Sequence, residues 1–120
     1  YKRQDCGLAH FEELYFSWAK VGTVRDWKFH KKMTLNLIVP LGTIRFAFVD
    51  ERAEPVPVPR IEEIGEERYA RLMVPPKIWF SFKAVGPQDG LLANMADILH
   101  DSDEVERRPY ESMPINWEVQ

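Results

Sequence analysis

The chain has 120 residues, 45% of them hydrophobic and 29% charged, with a net charge of −3. That is enough for one domain with its own core, and the acidic balance argues against a nucleic-acid-binding domain. No run approaches the roughly 18 apolar residues of a membrane span, and one cysteine, Cys6, allows neither an internal disulfide nor a cysteine-built metal cluster.

In chain order, residues 1–10 (YKRQDCGLAH) read as a polar N-terminal arm without the apolar centre of a secretory signal. The remainder, 11–120, reads as one domain. Phe11 to Ala19 (FEELYFSWA) is an aromatic-rich strand. Thr23 to His30 is a second strand, and Thr34 to Pro40 a third with Leu35, Leu37 and Val39 on one face and Asn36 and Ile38 on the other. After the Leu41-Gly42 turn, Thr43 to Val49 is a fourth strand presenting Ile44, Phe46 and Phe48 together. The proline-studded EPVPVP cannot be a central strand, because each proline removes a ladder donor. Short strands follow at Arg60 to Ile64, Tyr69 to Val74, Ile78 to Ala84 and Leu91 to Met95, separated by Gly65-Glu66-Glu67, Pro75-Pro76 and the GPQDG loop. The charged tail DSDEVERRPYESMPINWEVQ suggests a helical turn around Asp103–Arg107. Eight short strands with turns every 8–12 residues point to an all-β sandwich or barrel, and a small barrel can hold one ligand in its mouth.

Candidate chemistry centres on the stretch Gly22 to Gly42. Lys28 and His30 are two apart and share one strand face, set among aromatic and aliphatic neighbours. Histidine suits acid–base work near neutral pH. Lysine there can polarise a carbonyl as an ammonium, act as a base, or attack a carbonyl as a free amine. The first 50 residues carry net +3 and the rest −6, and Arg25, Lys28, Lys31 and Lys32 fall within eight positions. That cluster suggests a local site for a phosphorylated ligand. Asn36 and Arg45 are polar groups on otherwise apolar strands, and if they face inward a partner or ligand must satisfy them.

The spacing of Gly22, Lys28, His30 and Gly42, with the later Pro75-Pro76, resembles the cupin pattern G-x5-H-x-H-x4-E-x6-G followed by P-x-G-x2-H. Laid on that pattern, three of the four metal-ligand positions hold Lys28, Leu35 and Phe80, and only His30 is a donor. No metal and no other cofactor is therefore expected. Within cupins, VRDWKFHKK, VPLGTIRFAFVDER, VPPKIWFSF and ESMPINWE resemble the RmlC-like, dTDP-4-dehydrorhamnose 3,5-epimerase-related group. The resemblance implies a double-stranded β-helix, or jelly roll, acting without metal on a nucleotide-linked 4-keto-6-deoxy sugar, in the cytoplasm and as a homodimer. The N-terminal arm with Glu12 to Ala19 would be the exchanged piece. It also implies that Arg25 contacts the nucleotide diphosphate, although strict alternation puts Arg25 on the face opposite Lys28. The family base falls at Lys28, and the family acid tyrosine near Ala93 or Asn94. His30 and Lys28 are thus the candidate catalytic groups, with Arg25, Lys31, Lys32, Asn36, Arg45 and Tyr69 as candidate substrate contacts. Tyr69 and Tyr110 are the tyrosines placed late enough to replace the acid. The alternative is a sugar-nucleotide or carbohydrate binder that has lost the base and acid.

Overall fold

The computed structural model describes residues 11–52, 58–99, 101–113 and 115–117. Cys6, the arm and most of EPVPVP lie outside them. The chain folds as two antiparallel sheets, and no helix among the described residues is long and apolar enough to cross a membrane. The strands are β1 (Glu13–Ala19), β2 (Trp27–His30), β3 (Leu35–Leu41), β4 (Thr43–Val49), β5 (Arg60–Gly65), β6 (Leu72–Val74), β7 (Trp79–Val85), β8 (Gly90–Ala96) and β9 (Val105–Arg108). One sheet has the order β1-β8-β3-β6, the other β5-β4-β7-β2-β9. This is the all-β jelly roll expected from the sequence.

The main core lies between the sheets, where Leu35, Leu37 and Val39 of β3 meet Ile44 and Phe46 of β4 and Phe80, Phe82 and Ala84 of β7. Strict alternation sends these side chains to one face. A second apolar cluster lies on the outer face of the β5-β4-β7-β2-β9 sheet. There Trp27, Ala47, Val49 and Trp79 are covered by Tyr110, Met113, Ile115 and Trp117 of the tail. Trp27 Nε1 donates to the carbonyls of Tyr110 and Met113 at 3.3 and 3.1 Å, which fixes the tail against β2.

Three sequence expectations change. Only Trp27–His30 of the expected second strand forms a ladder. Residues 22–26 are tied across the chain instead, with Arg25 N–H donating to the Phe82 carbonyl and Ser81 Oγ to the Arg25 carbonyl. The Tyr69 to Val74 strand shrinks to Leu72–Val74, because the Arg68 and Gly65 backbones close a tight turn first. The helical turn around Asp103–Arg107 is a short 3-10 turn at Ser102–Glu104 that gives way to β9. Residues 105–108 are held extended because they pair with β2, a long-range contact that local propensity does not encode.

Candidate functional site

β1 is an edge of one sheet and β9 an edge of the other. Between the sheets on that side lies a cavity of about 240 Å³. Phe80, Phe82, Leu37 and Leu92 give it apolar walls, and Lys28, His30, Tyr15, Ser17, Asn94 and Arg107 bring polar groups into it. The period of β2 explains the pairing: Lys28 and His30 point inward while Trp27 enters the outer cluster.

His30 does not stand alone. Its Nδ1 lies 2.7 Å from Glu104 Oε1, and its ring stacks on Phe80 with centroids 6.0 Å apart. Glu104 is buried, at 6% exposure. Its other oxygen accepts the N–H groups of Lys32 and Met33 at 2.8 and 2.9 Å. Burial alone would raise this carboxyl. The bonds from Lys32 N–H, His30 and Met33 N–H outweigh burial and hold it below its ordinary range. A carboxylate on Nδ1 fixes the tautomer and leaves Nε2 as the ring nitrogen free, among the described residues, to take a proton.

Lys28 has a different environment. Its register partners are Phe80 on β7 and Arg107 on β9. Among the described residues it makes no hydrogen bond and no ion pair. Burial, then Arg25, then Arg107, push its ammonium below the usual lysine range. Arg25 reaches this neighbourhood because its segment bends out of strand geometry, which places its guanidinium 5.3 Å from the Phe82 ring centroid. Arg25 itself is not part of the cavity lining.

The other sequence candidates are dispersed. Lys31 and Lys32 are exposed on the turn after β2, with Lys31 Nζ donating to the Asp103 carbonyl outside the cavity. Asn36 is on the face of β3 away from the cavity, wholly buried, with neither amide atom hydrogen-bonded. Arg45 is engaged by Glu63 at 2.7 Å and by the Trp117 carbonyl, under the tail. Tyr69 is 66% exposed and does not line the cavity. Tyr110 spends its hydroxyl on Ile115 and Trp117 in the outer cluster.

Three groups in or beside the cavity escaped the sequence reading. Glu104 and Arg107 belong to the irregular charged tail, and only the pairing of β9 with β2 delivers them. Tyr15 lies on the early strand and faces the cavity, its hydroxyl 2.5 Å from Glu13 Oε1. The one available signal was the alternation of β1, which puts Glu13, Tyr15 and Ser17 on one face. Asn94 lines the cavity from β8, in the region where the resemblance expected a tyrosine. Among the described residues no three His, Cys, Asp or Glu side chains converge as metal ligands. Leu35, at the pattern's glutamate position, is core, and Phe80, at its last histidine position, is cavity wall.

No protein-family model and no curated protein matches the sequence. Solved structures do match. A dTDP sugar isomerase from Desulfovibrio desulfuricans G20 is 30% identical with a TM-score of 0.88, over 100% of this chain and 80% of that one. A dTDP-4-dehydrorhamnose 3,5-epimerase from Bacillus anthracis str. Ames, with TDP and PPi bound, superposes at TM-score 0.78 and 22% identity, over 98% and 71%. QdtA, a sugar 3,4-ketoisomerase from Thermoanaerobacterium thermosaccharolyticum in complex with TDP, superposes at 0.65 and 20%, over 82% and 67%. The last two are likenesses of fold.

Proposed function

Because the chain belongs to the RmlC-like family of cupins, we propose that it is an epimerase or isomerase of a nucleotide-linked 4-keto-6-deoxy sugar, working without a metal. The observation that carries this reading is the His30–Glu104 pair at a cavity that also contains Lys28. Inverting or moving a centre next to a ketone requires a base for the carbon-bound proton, a group on the carbonyl, and an acid to return a proton. His30 Nε2 is the base, and Glu104 stabilises the imidazolium that forms. Lys28, with Arg107 beside it, acts at the carbonyl. Tyr15 is the acid, from β1 rather than from β8.

The cavity volume suits the sugar and leaves the nucleotide at the mouth. Arg25, packed over Phe82 of the cavity wall, supplies positive charge for the diphosphate, with Lys31 and Lys32 adding to it from the turn after β2, outside the cavity. Such a reaction belongs in the cytoplasm, beside the nucleotide-sugar pool that feeds it. The test is exchange of the sugar's α-proton with deuterated water, using dTDP-4-keto-6-deoxyglucose. The expected outcome is exchange by wild type and its near abolition in His30→Ala. Binding of the sugar nucleotide without exchange would make the chain a binder on an enzyme's frame.

We also infer a homodimer through the outer face of the β1-β8-β3-β6 sheet, with a second copy as the occupant. Leu14, Phe16 and Trp18 of β1 are 47%, 60% and 55% exposed, in one row beside Met95, Ala93 and Leu91 of β8. Among the described residues no strand pairs with the outer edge of β1, and an isologous contact presents the same strand twice. Phe16 also lines the cavity, so a copy lying over β1 would close the side on which the cavity opens.

A further inference from the structure

We propose that Lys28 acts as an amine nucleophile, forming an imine with the substrate's ketone and so making the adjacent carbon acidic for His30. The proposal rests on the keto-sugar reading above and adds a covalent step to it. Three observations carry it. Lys28 stands in the same cavity as the His30–Glu104 pair, on the same strand face and two residues away. It is half-buried and has no carboxylate partner among the described residues, although lysines withdrawn from water are ordinarily paired. Its direct cross-strand neighbour is another cation, Arg107, and Arg25 is the second charged group acting on it. Like charges opposite each other weaken a sheet. An arrangement that costs stability and depresses an ammonium is how a lysine is made nucleophilic near neutral pH. Burial, Arg25 and Arg107 act on Lys28 in that direction, holding its ammonium below the usual lysine range.

The step balances without an outside reagent. The Lys28 lone pair forms a C–N bond to the carbonyl carbon, and the carbonyl oxygen takes up protons and leaves as water. The product is a protonated imine. His30 Nε2 then takes the proton from the neighbouring carbon, and the C–H electron pair moves into the enamine. A proton returned to that carbon restores the imine, and water releases the ketone and the free amine. No atom changes oxidation state over the cycle.

The experiment is reductive trapping. Wild-type protein is mixed with dTDP-4-keto-6-deoxyglucose and sodium borohydride, followed by intact mass and peptide mapping. The expected result is one stable sugar-nucleotide adduct on the peptide carrying Lys28. Lys28→Arg, which keeps the charge, should lose the adduct and fall to buffer-level α-proton exchange. His30→Ala should keep the adduct and lose exchange. Because the adduct is mapped on wild type, the test stands even where Lys28→Arg misfolds. Absence of an adduct, or adducts on Lys31 and Lys32 alone, overturns the imine. Exchange measured on the same wild-type sample then decides whether the epimerase reading survives without it. Retained exchange in folded Lys28→Arg also overturns the imine.

Discussion

Lys28 in the cavity and Glu104 behind His30 are ionisable groups pushed in ways that can be measured separately. Glu104 is held below its ordinary 4.5 in the fold. As pH falls, the unfolded chain therefore takes up the proton first. The stability that this carboxylate contributes is complete above about 4.5 and is lost as pH drops through its folded value. Glu104→Gln should flatten that acid limb of a melting-temperature profile. Because it also frees the His30 tautomer, it should lower α-proton exchange without changing nucleotide affinity. For Lys28 the sign is the same but the window differs. Its folded value is below 10.5, so the unfolded chain binds the extra proton and stability rises with pH in the interval between the two values. Lys28→Met should accordingly raise the melting temperature at neutral pH while abolishing turnover, a trade expected of a group kept for function. Replacement of His30 by alanine should cost about a hundred- to ten-thousandfold in exchange rate. Asn36 gives the opposite prediction. Its buried, unpaired amide bears a desolvation cost of about 1–3 kcal/mol. Asn36→Leu should be neutral or stabilising by denaturant melt and leave exchange intact; lost exchange in a folded protein would return Asn36 to the site.

The cavity depends on elements that are far apart in the chain. β9 is four residues long and survives because β2 pairs with it and the tail packs over the outer face. Trp27 joins the two, with its ring buried and its Nε1 on two tail carbonyls. Trp27→Ala should cost about 3–5 kcal/mol in chemical denaturation. It should also loosen Glu104 and Arg107, which would show as lost nucleotide-sugar binding in the fraction still folded. On the other side, Gly42 joins β3 to β4 with φ 75°, and a Cβ there would come within 2.6 Å of the Asp89 carbonyl oxygen. Gly42→Ala should destabilise by about 1–3 kcal/mol, from backbone strain and from this close approach. Lys28, His30 and Tyr15 lie on β1 and β2, not on the strands this turn joins, so α-proton exchange per folded molecule should be preserved.

At the scale of the whole molecule, the exposed row on β1 predicts association. Light scattering behind size exclusion should give twice the 14.1 kDa mass of the chain, and Phe16→Glu with Trp18→Glu should give the monomer. A wild-type monomer at micromolar concentration would remove the dimer and leave the cavity reading untouched. The order of residues was enough to specify an all-β sandwich or barrel, because alternation along β3, β4 and β7 and the turn signals between strands are local and survive without knowledge of partners, and the cupin resemblance narrowed it to the jelly roll. It was also enough to place Lys28 and His30 on one face, since two residues of strand always share one. Spacing against the cupin pattern carried the family. The partner of His30 was set by packing, because Glu104 is 74 residues away and reaches it through the β2–β9 ladder. Packing also set Asn36, Arg45 and Tyr69 apart from the cavity, since alternation gives two faces but does not say which one encloses space. It brought Arg25 near Lys28 as well, through a bend held by Phe82 and Ser81 that overrides the strand period. In each case the deciding interaction is a long-range pairing, and such pairings are fixed by the packed whole rather than by the residues next along the chain.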